Sequence, residues 1–293
     1  MDSSCLFDTG ESPTPAVLRT VRATPNMPRQ VYILPFQLLF ADGWQEKCGV
    51  FARENNQSEV VDFNELPLDW ASLSVAARTL FADIRTLSAK EDIHRSLHLQ
   101  LLQTLAGLLK STKIMLPATS TELAARLLAA VAQGKGRHIP NETNYLDKRQ
   151  DGITLINCMR EFTPKECTYY LRQLGVEPIT VVSHATLADP IVGSIGRLTD
   201  TFISGLQAGF SSTVSTVMKT AAKLQPLRNA ESSCSLCGLP LPPVADLCAD
   251  FGSLCLDGKF CQGCAISLSE SGSFANKFVS RDGISDIDEF LIK

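Results

Sequence analysis

Six of the ten cysteines fall between residues 234 and 264. Cys234-Ser-Leu-Cys237 and Cys261-Gln-Gly-Cys264 form two CxxC pairs, with Cys248 and Cys255 between them. A CxxC turn offers two thiolates from one tight loop, and two such turns supply the four sulfurs of a tetrahedral ion. The spacing points to a metal centre on Cys234, Cys237, Cys261 and Cys264. Structural zinc in a ribbon is the leading reading, and a four-cysteine iron–sulfur cluster is the alternative. Four thiolates close the zinc shell and leave no position for substrate, which argues against catalysis. Cys248 and Cys255 are too few for a second full site.

Other side chains with chemistry are weaker candidates. Gly134-Lys-Gly-Arg-His138 places Lys135 and Arg137 after a helix end, where they suit RNA phosphates or, somewhat better, a helix C-cap with its dipole. Lys219 and Lys223 lie one helical turn apart, on either an RNA-facing surface or a solvated face. His94 and His98 share a helix face without an acidic or cysteine partner, so a packed or solvated pair is expected. Cys158 and Cys167 read as buried packing residues.

At 293 residues, 44% hydrophobic and 20% charged, the chain suits one large or two ordinary globular domains. The first residues lack the basic and apolar regions of a secretory signal, and no apolar run is long enough to span a membrane. A cytoplasmic location follows as the expectation, and in a reducing cytosol clustered cysteines hold metal rather than disulfides. The net charge of −4 is uneven. From Glu231 onward 9 acidic residues face 4 basic ones, leaving the rest near +1. An acidic cysteine module is a poor phosphate binder. Residues 101–140 are basic and make the better nucleic-acid candidate.

The elements that must position these residues alternate. A strand near Ser4–Phe7, a helix from Pro15 and a strand from Gln30 are expected, with residues 41–65 an irregular excursion. Residues 91–110 carry Leu97, Leu101 and Leu105 at helical spacing. Lys113–Leu116 reads as a buried strand. A helix follows, capped by Thr119 and Glu122, faced by Leu123, Leu127, Leu128 and Val131, and ended by Gly134. After a polar loop, Ile153–Ile156 is a strand. The next helix has Thr163 as cap, Pro164 at its first position and Glu166 closing a capping box. Its apolar face is Cys167, Tyr170, Leu171 and Leu174, and Gly175 stops it. Ile179–Val182 is a further strand, and two helices cover Pro190–Ala208 and Ser212–Leu224. Alternation of this kind predicts an α/β fold on a parallel sheet over residues 1–224, a linker at 225–233 and a cysteine module with tail at 234–293.

Three stretches together resemble the cytoplasmic tRNA 2-thiolation protein 2 family: Asp151–Leu174, Arg197–Leu224 and the CSLCGLPLP…FCQGCAISL module. Phe210–Val217 followed by Lys219-Thr220 is the most specific of these. The resemblance implies a PP-loop ATPase-like (Rossmann-like) sheet and a heterodimer with a catalytic paralogue. That pair 2-thiolates the wobble uridine of tRNAs for Lys, Glu and Gln, using sulfur from a ubiquitin-related modifier. The fold's Gly-rich SGG loop has no counterpart in this sequence, which starts at what matches the second strand. Pro117 and Ala118 stand where the family tends to carry Gly and an acidic residue. The expectation is a non-catalytic subunit that holds no ATP, contributing tRNA surface and a zinc-stabilised tail. The alternatives are a zinc-ribbon adaptor without a role in thiolation, or an active adenylating sulfurtransferase.

Overall fold

The computed structural model describes residues 30–55, 59–150, 152–176, 193–226, 232–241 and 259–270. The expected elements before residue 30, the strand at Ile179–Val182, Cys248, Cys255 and the C-terminal tail lie outside the described residues.

Strand β1 (Val31–Ile33) leads through a one-turn 3-10 segment, Phe36–Phe40, into helix α1 (Trp44–Glu54) and then β2 (Val60–Asp62). β1 and β2 pair in parallel, Val31 opposite Val60. Helix α1 therefore lies in the crossover between two parallel strands, where an irregular excursion was expected. Trp44, Cys48 and Ala52, four apart, are all buried, giving α1 one apolar face despite its charged residues.

Helices α2 (Trp70–Asp83) and α3 (Leu87–Leu108) follow. Asp69 and Thr86 cap them by accepting hydrogen bonds from Ser72 N and Ala89 N. Ile93, Leu97, Leu101 and Leu105 form the buried stripe of α3. His94 packs flat on Phe36 with ring centroids 4.8 Å apart, and the His98 ring lies 6.1 Å further on, a packed pair as expected.

A second sheet has the order β3-β5-β4: β3 is Lys113–Leu116, β4 is Leu146–Gln150 and β5 is Ile153–Asn157. β3 and β5 run parallel, whereas β4 is antiparallel to β5 across a turn with Gly152 at φ +80°. The described strands thus form three small sheets, two of them with a parallel pair, and not one parallel sheet, and the polar loop before Ile153 is in fact strand β4. β3 is an edge strand among the described residues, and Met115 is 71% exposed, so it is not the buried strand expected.

Helix α4 (Ser120–Ala132) follows β3, a short helix α5 (Ile139–Thr143) precedes β4, and α6 (Pro164–Gln173) follows β5. The Thr163/Glu166 capping box of α6 is formed in both directions. The box expected at α4 is not: the Thr119 side chain caps nothing, and Glu122 pairs with Arg126 instead. α4 buries Leu123 with Ala124, Ala125, Ala129 and Ala130, so small residues let its neighbours close in while Val131 faces outward. α6 buries no residue; Tyr170 and Leu174 of its expected inner face are exposed. Cys167 is half-buried, and Cys158, at the end of β5, is exposed rather than packed.

Helices α7 (Ile195–Gly209) and α8 (Thr213–Ala221) pack on α4 through Ile203, Val214 and Met218. The hairpin β6 (Ser232–Ser233) and β7 (Pro240–Leu241) carries the first cysteine pair, and helix α9 (Gln262–Ser269) carries the second. Leu236, Leu239, Leu241, Phe260 and Leu268 enter the same apolar core as Phe36, Phe63, Ile93 and Leu101. Each such side chain contributes about 1.5–3 kcal/mol when fully buried. The cysteine module therefore shares its core with the first half of the chain.

Candidate metal centre and its surroundings

The first knuckle is a tight turn between β6 and β7. Cys234 N–H donates to Leu239 O at 2.8 Å and Gly238 N–H to Cys234 O at 2.8 Å. Gly238 at φ +69° occupies the left-handed position such a turn requires. In the second pair Cys261 is the N-cap of α9, its sulfur accepting from Cys264 N–H at 3.4 Å. Cys261 N–H donates in turn to Cys234 Sγ at 3.3 Å. The knuckles thus meet sulfur to sulfur, one on a hairpin and one on a helix start.

The four sulfurs of Cys234, Cys237, Cys261 and Cys264 lie within 4.8 Å of one another, and all four residues are buried. Cys237 and Cys261 sulfurs are 3.7 Å apart. Zinc–sulfur bonds of about 2.3 Å in a tetrahedron put the sulfurs roughly 3.8 Å apart, so the separation fits an ion and is far beyond a disulfide's ~2 Å. The sulfurs' own chemistry agrees. With no cation among them, hydrogen bonds from Cys237, Cys261 and Cys264 hold Cys234 well below the ordinary thiol range. Cys261 and Cys264 are pushed well above it, because their protons serve their neighbouring sulfurs. A divalent cation is what lets four crowded thiols ionise together. Cys48, by contrast, is a packing thiol pushed up to about 12 by burial.

Beneath the centre lies a charged layer. Lys135 is 7% exposed and its ammonium pairs with Asp92 of α3 and reaches Ser267 of α9 at 3.4 Å. Its stem runs over Gly263, where an added β-carbon would overlap it. Lys135 is thus a buried tie between α3, α4 and α9, not the exposed phosphate contact its sequence neighbourhood suggested. Arg137 two residues on is exposed. Arg95 faces Asp92 and Glu142 at 3.7 and 3.6 Å. Burial would raise Glu142, but Arg95, Arg149, His138 and Arg126 outweigh it and hold the carboxyl at about 2. Burial lowers His138 below the ordinary histidine range. Arg149 pairs with Asp147 and donates to Cys237 O at 3.2 Å. Gln100 donates to Ser235 O at 3.0 Å and Leu236 O at 2.8 Å. Both knuckles are therefore bolted to the α/β half by polar contacts. Asp92, Gln100 and Arg149 were not legible as partners, because each is more than 40 residues from its contact.

Lys219 and Lys223 are both exposed on the α8 side of the molecule. Lys219 borders a cavity together with Arg160, while Lys223 lies outside its lining. In the basic stretch 101–140, Lys135 is buried and Arg126 is held by Glu122, while Lys110, Lys113 and Arg137 are exposed.

A family model described as cytoplasmic tRNA 2-thiolation protein 2 matches residues 194–250, which hold α7, α8 and the first knuckle. The chain is 32% identical over 213 residues to cytoplasmic tRNA 2-thiolation protein 2-A of Xenopus laevis, covering 70% of this chain and 41% of that one. It is 30% identical over 197 residues to the protein of that name in Danio rerio, covering 64% and 39%. With the human protein it shares 36% over 149 residues, 51% of this chain and 29% of the other. The chain spans about two fifths or less of the length of these relatives. By the family match and by these relatives together, the chain belongs to the cytoplasmic tRNA 2-thiolation protein 2 family.

Proposed function

We propose that this chain acts in the cytoplasm as a subunit for 2-thiolation of the wobble uridine in tRNAs for Lys, Glu and Gln. It works as a heterodimer with a catalytic paralogue that activates the uridine with ATP and takes sulfur from a ubiquitin-related modifier. The observation that carries this reading is the similarity to relatives named for tRNA 2-thiolation, over as much as 70% of the chain. The parallel pairs β1/β2 and β3/β5, each joined through helices, agree with a PP-loop ATPase-like fold. The cysteine centre is a structural zinc site, ribbon-like in its first knuckle. Its four sulfurs close the shell and its surroundings are ion pairs and packed side chains, so it stabilises and does not react. No helix of the described residues is long and apolar enough to cross a membrane.

Depleting the protein and measuring 2-thiouridine in tRNA digests tests this reading. Loss of the modified nucleoside, restored by re-expression, is the expected outcome. Unchanged 2-thiouridine would favour an adaptor built around the same metal centre. Co-purification should recover the catalytic paralogue and about one zinc per chain.

A further inference from the structure

Past the carboxyl ends of β3 and β5 the chain leaves a cavity of about 180 Å³. Parallel strands open such clefts where their following helices diverge, here α4 and α6. Its floor is Ser120, Arg160 and Thr163; α7 and α8 close the other side with Gln207, Ser215 and Lys219.

We propose that this cavity seats a backbone phosphate of an RNA strand, with Arg160 and Lys219 as its cations. The inference rests on the tRNA reading above and adds the place where the strand is held. Arg160 is 6% exposed and fixed on all sides. Its Nε donates to Thr143 O at 2.6 Å, one terminal nitrogen reaches Met218 O at 3.4 Å, and the guanidinium lies 4.9 Å from the centre of the Tyr145 ring. Glu161 pairs with it from the cavity rim. A cation so held loses little freedom on meeting a ligand. Lys219 approaches from α8 on a flexible stem. Two cations against the one carboxylate of Glu161 leave the lining at net +1.

The remaining polar groups do not compete for that role. The hydroxyls of Ser120, Thr163 and Ser215 donate to Phe162 O, the Glu166 carboxylate and Ser212 O. Gln207 spends its amide on Ser211 O and its carbonyl on Val214 N–H. The two cations are what the cavity offers an anion. Size selects the source of the phosphate. Sites for whole small molecules run to roughly 300–1,000 Å³, so this cavity suits one phosphodiester link with its neighbouring sugar rather than a complete nucleotide. An RNA strand crossing the strand ends would place its bases outside, where a partner reaches them.

The full chain titrated with an unmodified tRNA transcript over a salt series decides the matter. Lys219→Ala should weaken binding about three- to tenfold and lower the slope of log affinity against log salt by about 1, for one lost phosphate contact. Lys219→Arg should keep both values. Lys223→Ala, one turn away but outside the cavity, should change affinity less than about twofold. Unchanged binding in Lys219→Ala, or an equal loss in Lys223→Ala, overturns the site. If adenosine monophosphate binds and Lys219→Ala abolishes that while tRNA affinity stands, the phosphate belongs to a free nucleotide and the RNA assignment is overturned. Either failure leaves the 2-thiouridine readout untouched, so it is distinguishable from failure of the thiolation reading.

Discussion

Lys135 and Lys219 look alike in the sequence, each a basic residue beside a turn of small or hydroxyl-bearing residues, yet they end in opposite surroundings. Lys135 is buried against Asp92 and Gly263 under the cysteine centre. Lys219 stands exposed at the open ends of two parallel strands. The difference is set by what packs above each. The cysteine module adds α9 and the β6/β7 hairpin over α3 and α4, so charges there become part of the fold. Nothing among the described residues covers the cavity mouth at Lys219, so a charge there remains available to a ligand. The cysteine centre is thus the rigid end of the molecule, and the strand ends are its open one.

The largest expected break of that contrast is loss of the zinc proposed for the cysteine centre. Cys261→Ser removes a sulfur of the centre while its hydroxyl can still cap α9, so the change isolates the ligand, and zinc binding in such modules is worth on the order of 10 kcal/mol of folding free energy. Because the module shares its core with Phe36, Ile93 and Leu101, the loss should spread to the first half of the chain. Thermal melts of the wild type with a chelator and of Cys261→Ser without one should show the same large fall. A Cys261→Ser protein that keeps its zinc and its melting temperature would remove the centre from the rigid end.

Next in size, Lys135→Ala leaves the Asp92 carboxylate with only the longer contacts of Arg95 at 3.7 Å and Ser267 at 3.5 Å, and should cost about 1–3 kcal/mol. Lys219→Ala should stay within about 0.5 kcal/mol, as exposed substitutions do. Denaturant midpoints of the two variants give the comparison directly, and equal values would erase it.

Glu142 supplies a pH test of the same layer. Its folded value of about 2 lies below the ordinary glutamate value near 4.3, so its stabilisation is complete above that ordinary value and disappears as pH falls through 2. The difference corresponds to about 3 kcal/mol at neutral pH. Glu142→Gln should be less stable than the wild type by that amount at pH 7, with the gap closing between pH about 4 and 2. A gap independent of pH would mean that packing, and not the field of Arg95, Arg149, His138 and Arg126, holds the residue.

Local signals in the sequence reached the structure where one element contains the whole cause. The Thr163/Glu166 box is three residues long, the CxxC pairs close within one turn each, and Gly134 and Gly175 stop their helices at φ +71° and +69°. Readings failed where a distant partner decides. Thr119 and Glu122 have the same spacing as Thr163 and Glu166, but Arg126 takes the carboxylate. Leu146–Gln150 is too polar to read as a strand until β5 lies beside it. Helix α1 did carry a usable signal, Trp44, Cys48 and Ala52 four apart, masked by the charges between them. The apolar stripe of α6 predicts the helix, but it stays largely uncovered, because amphipathicity reports a face and not what covers it.

A third lysine gives the smallest and cleanest case. α3, α4 and α6 all end in the same doubly bonded turn: Lys110 N–H to Gly107 O with Ser111 N–H to Ala106 O, then the equivalent pairs at Gly134 with Lys135 and at Gly175 with Val176. The central residue must be left-handed, and only in the first turn is it not glycine: Lys110 sits at φ +55°. No packing obliges a side chain there, since Lys110 is exposed. Lys110→Gly relieves the backbone at the cost of a freer unfolded chain, a net gain of about 0.5–1 kcal/mol. The denaturant midpoint should rise slightly with its slope unchanged. A fall instead would show that the Lys110 side chain makes a contact worth more than the strain, and would add it to Lys135 as a lysine the fold depends on.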